Sequence, residues 1–184
     1  PEGDYAGIWL YADEGDDNAD KWFLKASQSA STFLIQNRNS GSWETNIECN
    51  GDGNVELYYD NSKKLETTSA GTAFTGNTTS AVSALSDGAT ITVNFTTASH
   101  FTVTLGGNRT FGDPASTSSA IGSSGSIFIV QDGTGSRTAS FHGDYKFAGG
   151  TAPTLSTAAN SVDRLDYIVR SSDNIHCVVT LDVQ

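Results

Sequence analysis

Methionine is absent from the 184 residues, proline occurs three times, and cysteine only twice. Cys49 and Cys177 lie 128 positions apart, in regions of different character, and read as two reduced, packed thiols rather than as a disulfide framework. Basic residues are also scarce: 10 Lys and Arg face 21 Asp and Glu, for a formal charge of −11. That balance excludes a surface that tracks phosphates, which needs clustered Lys and Arg, so nucleic acid is not an expected partner. No run reaches the ~18 apolar residues of a membrane helix, and membrane insertion is not expected. Helical periodicity is nearly missing too; the best candidate, Thr79 to Leu85, is a single turn or connector. The start at Pro1 and the lack of Met suggest a segment of a longer polypeptide.

Catalytic spacing is equally sparse. Hydroxyls are plentiful, but no Gly-x-Ser-x-Gly elbow joins a strand to a helix. Gly122-Ser123-Ser124-Gly125 and Gly133-Thr134-Gly135 lack the Lys and the following helix of a phosphate loop. Asp16, Asn18 and Asp20 follow the opening spacing of a calcium loop, yet Lys21 stands where glycine belongs and Ser27 where a bidentate Glu belongs. Asn50-Gly51-Asp52-Gly53-Asn54 fails similarly at Val55. Both read as solvated turns. His100, His142 and His176 form no His-x-His or His-x-x-x-His pair, so neither a metal nor a cofactor is expected. Glycoside cleavage needs paired carboxyl groups, and the eight acids beyond Glu66 are all Asp and dispersed. The chain is therefore expected not to be an enzyme, with a glycan hydrolase as a distant alternative.

What is present is strand and turn chemistry. The 23 Ser, 22 Thr and 19 Gly suit strands and tight turns. Ile8 to Tyr11, Lys21 to Leu24, Thr32 to Ile35, Ser42 to Ile47, Val55 to Tyr59 and Lys64 to Thr68 predict six short strands, separated by Gly, Asn and Asp turns. Residues 1–66 thus read as an acidic β meander whose three tryptophans, Trp9, Trp22 and Trp43, supply its core. Residues 67–88 are Thr-, Ser- and Gly-rich and read as a thin shaft or linker. Residues 89–184 read as a second β domain. There Ile91, Val93 and Phe95 share one face, Phe101, Val103 and Leu105 another, and the two strands are expected to pair as a hairpin. Ile175, Cys177, Val179, Leu181 and Val183 form the longest alternation. The predicted fold is all-β: a short-strand meander, a linker, and an antiparallel β-sandwich or jelly-roll-like domain.

The stretch from Asn50 to Gly71, with its Val-Glu-Leu-Tyr-Tyr strand, Asp-Asn turn and Lys-Lys-Leu-Glu-Thr-Thr strand, resembles a segment recurrent in bacteriophage tail-fibre and other virion proteins. The regions Phe101 to Phe111, Gly125 to Thr138 and Lys146 to Val169 are similar to the terminal domain of such proteins. The resemblance implies a homotrimer on the virion exterior, in tail or head fibres. Val55, Leu57, Tyr59 and Leu65 would face its shared core, while Glu56, Tyr58 and Glu66 would face solvent. A tip domain of this kind would contact a host-surface glycan through the loops Asp113 to Gly125 and Gly143 to Thr157, where Tyr145 and Phe147 offer stacking surfaces. The alternative is a purely architectural fibre or decoration protein that joins other virion proteins.

Overall fold

The computed structural model describes residues 3–183, and the chain divides into two compact units, Pro1–Thr78 and Thr79–Gln184. Both are built from strands, as the turn and alternation pattern predicts.

The first unit is one antiparallel sheet in which seven strands follow one another in sequence order. They are β1 (Tyr5–Tyr11), β2 (Lys21–Ser27), β3 (Thr32–Asn37), β4 (Glu44–Asn50), β5 (Val55–Tyr59), β6 (Ser62–Thr68) and β7 (Gly71–Phe74). Between β5 and β6, Asp60 and Asn61 hold φ of 51° and 54°. Left-handed backbone at both central positions matches the twist of the flanking strands, and Asn and Asp tolerate it best after Gly. The Asn61 side chain also accepts the Thr45 N–H at 2.8 Å, which ties this turn to β4.

A lone sheet has no interior, and burial shows the consequence. Among the described residues of this unit, Phe23 is the only large apolar side chain that is buried. Trp9 stacks on it at 4.2 Å, while Tyr5 and Trp43 approach it at 5.8 Å. Gly7 makes room for this cluster, because a Cβ there would run into the Phe23 ring. The tryptophans are not the core that the sequence suggests: Trp9 and Trp22 are exposed and Trp43 is half-buried. With no second layer above it, a Trp on either face of this sheet stays open to solvent.

Residues 67–88, expected as a thin linker, hold regular structure. The first part completes β6 and forms β7, whose Phe74 pairs with Leu65, and the last part contains β8 (Val82–Ala84) rather than a helical turn.

The second unit adds β9 (Thr90–Ile91), β10 (His100–Leu105), β11 (Arg109–Phe111), β12 (Ser124–Gln131), β13 (Ala139–Phe141), β14 (Tyr145–Phe147), β15 (Val162–Ser171) and β16 (Asn174–Thr180). The expected hairpin between residues 91–95 and 101–105 does not form. Instead β8, β10 and β12 lie parallel on one side, and β9, β11 and β13 lie parallel on the other. The chain thus winds through three short rungs of a solenoid. At the corner after Asn94, whose Oδ1 accepts the Thr96 N–H at 3.1 Å, the backbone bends into the next rung rather than reversing. A hairpin of β15 and β16 then extends the larger sheet, with β15 antiparallel to β12, and β14 closes that edge parallel to β16. The domain is therefore mixed parallel and antiparallel, not an antiparallel jelly roll.

The predicted inward faces are correct even though their partners are not. Ile91, Val93, Phe95, Phe101, Val103 and Leu105 are all buried. Phe101, Ile127 and Leu165 lie in direct register across β10, β12 and β15, so each rung repeats an apolar position. Two buried polar groups hold the loops. Gln131 donates from Nε2 to the Arg137 carbonyl at 2.9 Å and accepts the Arg137 N–H at 2.8 Å. The buried Asp163 carboxylate accepts the Ser156 N–H at 2.8 Å and the Asp182 N–H at 2.9 Å.

At Gly125 the backbone runs close against its neighbour: a Cβ there would collide with the Ser99 carbonyl, itself the acceptor of the Tyr167 hydroxyl at 2.9 Å. Gly125→Ala is expected to destabilise the second unit by roughly 1–3 kcal/mol through overpacking. Urea unfolding followed by Tyr fluorescence would show it as a lowered midpoint, and an unchanged midpoint would count against this packing.

Candidate functional site

The residues expected to meet a receptor separate in the structure. Tyr145 points inward from β14 and is buried against Phe95, Phe111 and Phe141 at ring separations of 5.7–6.5 Å. Burial raises its phenol pKa, and its hydroxyl has no hydrogen-bond partner among the described residues. It is a core residue, not a stacking surface. Phe147 also points inward but stays half-buried at the rim, with its ring 5.0 Å from Phe141.

The accessible surface lies on the other face of the same strands. Lys146 stands next to His176 across β14 and β16, and His176 stands next to Ile168 across β16 and β15. Asp166 pairs with Val178 one step along. These residues, with Phe147 at the rim, line an open depression of about 520 Å3. Its floor is apolar and accessible, with Ile168 48% and Val178 66% exposed. Its polar groups are held in place. Asp166 accepts the Ser126 hydroxyl at 2.6 Å and is paired to Arg164 at 2.9 Å, while the Lys146 ammonium donates to the Gly143 carbonyl. An apolar floor between an ammonium, an imidazole and a carboxylate can pack against the C–H face of a sugar ring while bonding its hydroxyls. In the sequence, this site shows only as Val178 intruding on the polar side of the last strand.

Beneath it, burial pushes the Cys177 thiol up to about 12, so it is a packed thiol rather than a nucleophile. Cys49 lies half-buried in the other unit, and both cysteines are free. Two groups could bind a cation by proximity: the carboxylates of Asp16, Asp17 and Asp20, and the cluster of Asp113, His142 and Asp144, each with ligand atoms within 4.8 Å of one another. The second was not legible in sequence, because Asp113, after β11, joins His142 and Asp144 of the turn between β13 and β14 only in the fold. His142 Nδ1 lies 3.3 Å from Asp144 and 4.0 Å from Asp113.

In the first unit, Val55, Leu57, Tyr59 and Leu65 lie on one face, with Leu57 directly opposite Leu65. Leu57 and Tyr59 are exposed; Val55 and Leu65 are half-buried. The opposite face carries Glu48, Glu56, Tyr58, Lys63 and Glu66 as a linked polar group rather than as freely solvated side chains. Lys63 bonds Glu66 at 2.6 Å and Glu56 at 3.2 Å, and the Tyr58 hydroxyl donates to Glu56. That bond to Glu56, then burial, raises the Tyr58 pKa.

Three parallel rungs closed by a hairpin, with an open, polar-rimmed depression on the closing strands, define the second unit as a solenoid-like β domain that presents strand surface to solvent. Residues 90–170, from β9 into β15, match the family described as "putative phage tail fibre C-terminal domain". Over this stretch the second unit is similar to a phage tail fibre C-terminal domain. The first unit lies outside the matched residues. No curated protein and no solved structure matches the chain.

Ion pairs staple the loops at the rung ends. Arg137 bonds Asp132 at 2.7 Å and holds its carboxyl below the usual range, and Arg109 does the same for Asp87 at 2.6 Å. Because the folded Asp132 pKa is depressed, its contribution to stability is present above the ordinary Asp value and is lost as pH falls through the folded value. Arg137→Ala is expected to move the Asp132 titration upward, read from carboxyl chemical shifts by NMR; a midpoint that stays put would remove Arg137 as the cause.

Proposed function

We propose that this chain is a homotrimeric segment of a fibre on the virion exterior that adheres to a host-surface glycan through its second unit. The observation that supports it most is the depression on β14, β15 and β16, an exposed apolar floor with fixed charged groups at its rim, on a domain matched to phage tail fibres. A negatively charged chain is a poor binder of nucleic acid or anionic lipid, whereas neutral saccharides are indifferent to net charge. Adhesion here needs no cofactor. The loop tyrosine first expected at the contact gives way to strand residues: Ile168 and Val178 as floor, and Lys146, Asp166 and His176 as hydrogen-bonding groups.

The test is a glycan array probed with the full chain. Binding to one saccharide class, reduced at least about tenfold (~1.4 kcal/mol) by Val178→Asp and by the His176→Ala, Lys146→Ala pair, is the expected result. Silence across the array from a folded, assembled protein would overturn adhesion and leave the architectural reading, in which the acidic first unit, with 13 acids and 5 bases through Glu66, contacts other virion proteins. The chain is further proposed to lack hydrolase activity: the viscosity of a bound polysaccharide should stay constant at high protein concentration, and a falling viscosity would assign it an enzymatic role.

A further inference from the structure

The register of the first sheet sets one apolar residue of every strand in a single line. Ile8 pairs with Leu24, Leu24 with Ile35, and Ile35 with Ile47. Ile47 pairs with Leu57, Leu57 with Leu65, and Leu65 with Phe74. Directly paired residues share a face, so all seven strands contribute to one unbroken row perpendicular to the strands. The row beside it, Ala6, Ala26, Phe33, Cys49 and Val55, is also apolar. The two irregularities of the sheet, after Ile35 and after Leu57, both fall one step beyond the row and leave it intact. A single register slip would move a strand's row residue to the other face, so the alignment of seven strands is strongly specified.

Among the described residues of the first unit no second layer covers this row: Leu24, Ile35, Ile47 and Leu65 are half-buried and its other three members are exposed. Ile8 is 61% and Phe74 59% exposed, and Leu57 is also open. We infer that this face is the contact between copies of the chain, with the row from Ile8 to Phe74 lying along the long axis of the assembly and the strands running across it. The inference rests on the homo-oligomeric part of the proposed function and adds which face closes it and in which direction.

Three features favour a copy of the chain as the occupant. The row and its neighbour carry no charged side chain, although the chain holds 13 acids up to Glu66, so two acidic units can approach closely through this face without opposing their carboxylates. The same row lacks the hydrogen-bonding groups that a saccharide would need. The area is also sufficient. Six spacings of ~4.8 Å and strands of ~17 Å give about 500 Å2 per copy, or about 1,000 Å2 for a pair, the lower bound of a specific interface. A straight aliphatic row is complementary to itself, and inner faces of packed sheets sit ~10 Å apart.

The experiment uses the full chain with Cys49→Ala and Cys177→Ala, nitroxide-labelled in turn at Leu57→Cys, at Ile8→Cys near the far end of the row, and at Lys25→Cys on the opposite face. Mass by light scattering and label separation by pulsed dipolar spectroscopy are read together. Expected are a mass of three copies of the 19.3 kDa chain, short separations of ~10–20 Å at both positions 8 and 57, and longer separations at position 25. Short separations at 57 but not at 8 would overturn the axis assignment. An assembled species whose labels at 8 and 57 are no closer than those at 25 would overturn this face as the contact while leaving the oligomer standing. A monomer would overturn both. If Leu57→Cys fails to fold, the fully accessible Tyr59, 74% exposed, carries the label instead.

Discussion

The constraint on which the first unit depends is that a single β layer cannot enclose its own side chains. Hydrogen bonds between seven strands satisfy the backbone, but each face meets solvent unless something is laid on it. One face answers this locally: Phe23 is covered by Trp9, Trp43 and Tyr5, and Glu48, Glu56, Tyr58, Lys63 and Glu66 form a bonded polar mat beyond it. Among the described residues the other face has no such answer within the unit, and Ile8, Leu57 and Phe74 of its apolar row stay exposed. Covering that row would therefore add to the stability of this part. Fully burying a Leu or Ile side chain contributes about 1.5–3 kcal/mol relative to leaving it exposed.

The second unit solves the same problem by winding. Because consecutive rungs stack β8, β10 and β12, and β9, β11 and β13, inward positions of the middle rung have neighbours above and below and share one core with the facing strands. Ile91, Phe111 and Phe141 repeat on one side as Phe101 and Ile127 do on the other. Burying carboxylate and amide groups in such a core is tolerable only when their bonds are made, and Asp163 and Gln131 make theirs to backbone of the loops they anchor. The outward faces carry less of the folding burden, and of their apolar residues Ile168 and Val178 are exposed and available for contact.

Sequence alternation made the all-β character and the inward faces legible, because side-chain direction follows from the two-residue period alone. It could not say which strand lies next to which. Residues 91–95 and 101–105 alternate alike whether they form a hairpin or successive rungs, and the difference lies in how the backbone turns at Asn94 to Ser99. The tryptophans misled for a related reason: size and hydrophobicity predict burial only where a second layer exists. Tyr145 and Phe147 misled in the opposite sense. Their neighbours, Gly143 and the glycines after Ala148, suggest a loop, yet the three residues between form β14, and pairing with Ile175 and Cys177 turns both rings inward. The Asp113, His142 and Asp144 cluster and the β14 to β16 depression are tertiary and have no local signature.

Placing the candidate contact on strands rather than loops has a physical consequence. The longest strands, β15 with 10 residues and β12 with 8, lie inside the larger sheet, while its two edges, β14 and β8, have three residues each. Short edges offer little template for pairing with foreign strands, and Lys146 at the centre of β14 adds a charge where such pairing would start. The sheet can therefore leave Ile168 and Val178 uncovered one or two strands in from the edge without inviting aggregation along it. At Ile168 the backbone is held by ladders on both sides and at Val178 on one, so a ligand meets a backbone already held in position and little ordering entropy is spent on binding.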